Sequence, residues 1–188
     1  MSTTSRTNLI KAHLMLATFI FPAVLMFLIT GGLYTWGIKG SYDTREYTLA
    51  LSEPLTPDQP ALQAMVQGEL RKLAVADPAG AAKVKKAGNS FVFEWTGSQR
   101  DVLLEPTDDA LSARLTVKET TWYRNLVQLH KAKGGQLFKV YAAFLATGLF
   151  LVLFTGLLMA LQMPKYRRMA VISALSGLLV FGLAVVAS

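Results

Sequence analysis

Cysteine is absent from this 188-residue chain, which removes disulfides, iron–sulfur clusters and thiolate chemistry from it. Histidine is nearly absent too, with only His13 and His130. Charged residues make up just 16% of the chain, and all twelve Asp and Glu lie between Asp43 and Glu119, so neither end carries a carboxylate. No nucleotide-binding glycine loop, HExxH, GxSxG or dinucleotide fingerprint is present. Any reductase activity therefore needs electrons delivered by another protein. Glu69, Glu94 and Glu105 have no spacing that unites them as a catalytic pair.

What the chain has instead is apolar length. It is 52% hydrophobic, with a mean hydropathy of +0.37. Residues 14–37 contain no charge and exceed the roughly 20 residues needed to cross a hydrocarbon core of about 30 Å. That run is too long for a signal-peptide core, and Tyr34 and Trp36 suit an interfacial aromatic belt. Pro22 removes one backbone donor and bends the helix, a cost membrane helices tolerate. A second span is expected over 137–163, with Lys139 able to snorkel, and a third over 169–188.

The short loop at 164–168 carries Lys165, Arg167 and Arg168, and the tail at 1–13 carries Arg6 and Lys11. Three spans put both on one side, and the positive-inside rule makes that side cytoplasmic. The middle of the chain then faces outward, into the periplasm if the membrane is a bacterial inner membrane. Of the +7 net charge, five basic residues lie inside, leaving fourteen outside against twelve acids. So balanced a domain implies no nucleic-acid partner.

Residues 38–125 read as a small α+β domain. "YDTREYTLAL" alternates as a strand, and "SEPLTPDQP" supplies turn chemistry. Leu62, Met65, Val66, Leu70 and Leu73 recur at helical spacing, with Thr56 or Asp58 placed to cap. Four short segments follow, "AAKVKKAG", "SFVFEWTG", "DVLLEP" and "ARLTVKE", separated by turn residues. They predict an antiparallel meander with the helix on one face. Lys83, Lys85 and Lys86 suit a solvated edge strand. Helix returns near Glu119, and residues 126–136 are expected as a juxtamembrane helix or linker. The fold class is thus membrane α-helical, three transmembrane helices with an inserted domain of antiparallel sheet plus helix.

"LIKAHLMLATFIFPAVLMFLITGGLYTW" resembles the first span of PepSY-associated transmembrane proteins, with His13 at its start and Thr30-Gly31 near its end. The stretch from His130 through Gly134-Gly135 to Thr155-Gly156 resembles a later span of that family. The helix and meander look like one PepSY domain, and the resemblance covers most of the chain. It implies a setting in iron uptake or inner-membrane ferric reduction, and haem held by transmembrane histidines.

This chain departs from the larger family members, which carry more spans and more histidines. One crossing separates His13 from His130, on the order of 30 Å. Two imidazoles on one metal need nitrogens about 4 Å apart, given bonds near 2 Å. A bis-histidine site within one chain is therefore not expected. Haem stays open through His13 with Met163 or Met169, through a symmetric dimer, or through a ligand from a partner. The plainer account is that each histidine is a polar residue at a helix end.

Ser173 and Gly177 form a small-xxx-small pair on the third span, while Gly148, Thr155 and Gly156 interrupt the second. Such residues let helices approach closely, within the chain or between subunits. Two functions remain open from sequence. One is an inner-membrane accessory subunit of a larger complex, in respiration or iron acquisition, partnered by lipid and other membrane subunits or by a second copy. The other is a haem-binding electron-transfer protein supporting periplasmic ferric-siderophore reduction.

Overall fold

The computed structural model describes residues 3–88 and 90–188. In order, the elements are α1 (Thr3–Thr35), β1 (Tyr42–Ala50), α2 (Gln59–Lys72), β2 (Ala82–Ala87), β3 (Ser90–Thr96), β4 (Arg100–Pro106), β5 (Ser112–Thr120), α3 (Trp122–His130), α4 (Gln136–Gln162) and α5 (Pro164–Ala187). They form two compact units, residues 26–142 and residues 1–25 with 143–188.

Among the described residues, three helices are long and apolar enough to cross a membrane: Arg6–Thr35, Gln136–Gln162 and Pro164–Val186. Helix α1 continues through Pro22. It also starts within the expected N-terminal tail, so Lys11 and Arg6 are helical rather than loose. The expected five-residue loop before the third span is likewise helix. Pro164 occupies the first turn of α5, where its missing N–H costs nothing, and it forces Met163 out of the helical region to φ −96°, ψ 108°. The link between α4 and α5 is Met163 alone, and Lys165, Arg167 and Arg168 fall in the opening turns of α5.

The inserted domain is a five-stranded antiparallel sheet in the order β1-β5-β4-β3-β2. The meander of β2 to β5 is as its turn chemistry predicts. Strand β1 crosses over to pair with β5 along its whole length, from Tyr42 opposite Thr120 to Ala50 opposite Ser112. The chain therefore enters and leaves the domain on neighbouring strands.

Helix α2 covers one face of the sheet. Leu62, Val66 and Leu70, four residues apart, are at most 2% exposed and join Phe93, Trp95, Val102, Leu104, Leu115 and Val117 in the core. Burying each such side chain contributes about 1.5–3 kcal/mol. Met65, read from the sequence as part of this stripe, is 37% exposed at its margin. Asp58 is the N-cap residue of α2, without a side-chain capping bond. The Trp95 indole donates to the Gly80 carbonyl at 2.9 Å, closing the apolar end of the core.

Candidate functional site

Each histidine stands against a threonine-glycine pair that lies far from it in sequence. In the unit formed by residues 1–25 and 143–188, His13 Nδ1 is 2.8 Å from Thr155 Oγ1. The Thr155 hydroxyl donates to the Leu151 carbonyl one turn back at 2.6 Å. A hydroxyl has one hydrogen, so toward the imidazole Thr155 acts as acceptor, and Nδ1 carries a proton. In the neutral ring the lone pair is then on Nε2. A Cβ placed on Gly156 would lie 3.5 Å from His13 Cε1, so this glycine gives the ring its room.

The same arrangement recurs in the other unit with the partners exchanged. His130, at the end of α3, has its Nδ1 2.8 Å from Oγ1 of Thr30 on α1. Thr30 is 2% exposed and donates to the Met26 carbonyl at 2.7 Å. It too must accept from Nδ1–H, leaving Nε2 of the neutral ring as an acceptor. A Cβ on Gly31 would stand 3.0 Å from His130 Cε1 and 3.7 Å from Nε2, so the ring lies directly over bare backbone. Phe27 packs against its side with centroids 5.0 Å apart.

A cavity of about 450 Å³ opens beside His130, lined by Thr30, Gly31, Tyr34, Thr35, Val127 and Lys131. The ammonium groups of Lys39 and Lys131 stand 5.2 and 5.7 Å from the centroid of the Tyr34 ring. Among the described residues neither lysine forms an ion pair with a carboxylate.

The remaining residues singled out from sequence have distinct placements. Gly148 is buried, and a Cβ there would meet Ile20 Cγ2 at 3.4 Å and Leu16 Cδ1 at 3.6 Å, so it serves packing of α4 on α1. Met163 caps α5, and Met169 is 62% exposed further along it. Ser173 and Gly177 lie on a helix with no buried residue, and nothing comes within 4 Å of a Cβ at Gly177. Among the described residues no three His, Asp or Glu side chains gather as a metal-ligating group.

One polar cluster escaped the sequence reading. Tyr42 on β1 donates to Asp101 Oδ2 on β4 at 2.9 Å and accepts from Arg124 Nη2 at 2.9 Å and Gln128 Nε2 at 2.8 Å on α3. Asp101 also accepts from the Gly97 amide and from Lys133, both at 3.3 Å. Gln128 is fully buried and Asp101 is 7% exposed. Burial pushes the Tyr42 pKa upward; the Arg124 hydrogen bond works against this and Asp101 adds to it. The signal available in sequence was Arg124 and Gln128, four residues apart and so on one face of the helix.

No protein-family model matches the chain, and no curated protein or solved structure matches it either.

Proposed function

We propose that this protein is an accessory subunit of a larger complex in a bacterial inner membrane, holding its α+β domain in the periplasm. The observation that carries this reading is α5. It has no buried residue, its Ser173 and Gly177 positions offer a close-approach surface, and among the described residues nothing comes within 4 Å of a Cβ at Gly177. The resemblance to PepSY-associated proteins supports a setting in iron acquisition or respiration.

The absence of cysteine makes the test direct. Single cysteines at Ser173 or Gly177, and at Leu175 on the opposite face of α5 as a control, are cross-linked in native membranes. Cross-links to one other subunit, or to a second copy, from Gly177 but not from Leu175 support the reading. Equal labelling of all three by a lipid-soluble maleimide, with no cross-link, overturns it.

A second reading is favoured by the threonine-fixed histidines. Metal-binding imidazoles ordinarily donate from one nitrogen to a fixed acceptor and bind through the other, which is how His13 and His130 are held. Haem, the group the family resemblance implies, would be held through Nε2 of either residue and would supply one-electron chemistry. Each histidine would provide one ligand, and the other would come from a partner, from a second copy or, for His13, from Met163 or Met169. The spectrum of purified protein, oxidised and reduced, decides this: a stoichiometric Soret band lost in His13→Ala or His130→Ala supports it, and a colourless complex containing its partners rejects it.

A further inference from the structure

Beyond either reading, we infer that the cavity beside His130 is a binding site for the headgroup of a membrane-soluble hydroquinone, and that it prefers the reduced quinol to the oxidised quinone. The cavity is lined by the last turns of α1, a helix apolar enough to span a membrane, and by the end of α3. At about 450 Å³ it falls within the range of small-ligand sites.

Three features define what fits. Thr30 holds the proton of the neutral ring on Nδ1, so Nε2 asks for a hydrogen-bond donor. Gly31 presents bare backbone beneath the imidazole, where any side chain from a Cβ 3.7 Å from Nε2 would obstruct that nitrogen. Tyr34 and Val127 give apolar wall, and Lys131 supplies an ammonium that has no carboxylate partner among the described residues. The ligand is therefore ring-shaped and mostly apolar, with a hydroxyl to give on one side and an oxygen to receive on the other.

A hydroquinone has this pattern. Its oxidised form does not, because a carbonyl oxygen brings a second lone pair against Nε2. A lipid phosphodiester has no hydrogen of its own to offer at neutral pH and would engage Lys131, and the polar headgroup beyond it would leave the apolar wall of Tyr34 and Val127 uncovered. An acyl chain would leave both polar groups without a partner, at a cost in a largely apolar site. Thr30 is a positioning residue here, and His130 makes the contact.

The test uses the full chain in nanodiscs of neutral phosphatidylcholine, titrated anaerobically with decylubiquinol and, separately, decylubiquinone. The expected result is saturable binding of one quinol per chain, about tenfold tighter than the quinone, in line with one net hydrogen bond. His130→Phe and Gly31→Leu should each weaken quinol binding by about tenfold or more, while His130→Gln, which retains an acceptor, keeps part of it and Phe21→Leu, at an exposed position of α1, changes nothing. Thermal melts establish that each variant is folded. Equal affinity for the two redox forms overturns the assignment, as does unaltered quinol binding in folded His130→Phe. Displacement of quinol by phosphatidylglycerol at equal mole fraction would assign the cavity to an anionic headgroup instead.

Discussion

Tyr42 and Asp101, on strands β1 and β4 of one sheet, share a 2.9 Å hydrogen bond above β5, which separates them. The phenol simultaneously accepts from Arg124 and Gln128 of α3, so a single hydroxyl joins two strands to the helix that leaves the domain. Tyr42→Phe removes that junction, takes the acceptor from Arg124 Nη2 and leaves Gln128 Nε2 with Asp101 alone at 3.2 Å, and should cost about 1–3 kcal/mol at pH 7. The Tyr42 pKa is raised by burial, so the folded state holds the proton more tightly than the unfolded chain does. Its contribution is complete below the ordinary tyrosine value near 10.0 and is lost as pH climbs through the raised value. Denaturant unfolding in detergent from pH 7 to 11 should show wild type and Tyr42→Phe converging above pH 10. A constant gap would refute the linkage.

Thr155 sets the tautomer of His13, and Thr155→Val should release it. Long-range ¹H–¹⁵N spectra of the imidazole should change from protonated Nδ1 to a mixture or to protonated Nε2. The stability change should be small, about 0.6 kcal/mol, typical of interhelical hydrogen bonds in membranes. Gly148→Leu, which forces a side chain against Ile20 and Leu16, should cost more, about 1–3 kcal/mol.

Gly80 and Gly88 separate two kinds of glycine requirement. A Cβ on Gly80 would overlap the Thr96 carbonyl oxygen, a clash that only backbone movement relieves. Gly80→Ala should therefore destabilise the domain by more than about 3 kcal/mol and perturb the fluorescence of Trp95, which donates to that residue's carbonyl. Gly88 has open space around it but a φ of +58°, so Gly88→Ala should cost only about 1–2 kcal/mol. Urea unfolding of the two variants provides the comparison.

Strand β2 is a sheet edge, and Lys83, Lys85 and Lys86 are exposed on it, with Lys85 paired to Glu94 across to β3. Replacing the three lysines with threonine leaves the strand sequence favourable while removing the charge that deters a second strand. Association detected by analytical ultracentrifugation should increase, and unchanged sedimentation would count against this role.

The strands and α2 were legible because alternation and four-residue spacing are local. Leu62, Val66 and Leu70 announce their buried face, and turn residues mark each hairpin. The pairing of β1 with β5 was not legible, since some sixty residues intervene and no turn dictates it. The same holds for the histidines. Both threonine-glycine pairs were visible in sequence, but that His13 meets Thr155 while His130 meets Thr30 depends on which helix faces pack. Pro164 marked a boundary, yet the basic residues after it looked like loop because charge suggested solvent, whereas proline at a first helical turn begins a helix.

The crossover of β1 also sets how the domain bears load. Tyr42 and Thr120, where the chain enters and leaves the sheet, are directly opposed on adjacent strands. Tension applied through the two attachments would open the ladder one pair at a time, like a zip, rather than shear all nine pairs at once. The first pair to part includes Tyr42, whose bonds to Asp101, Arg124 and Gln128 make it the clasp. The mechanical threshold of the domain is thus concentrated at one phenol.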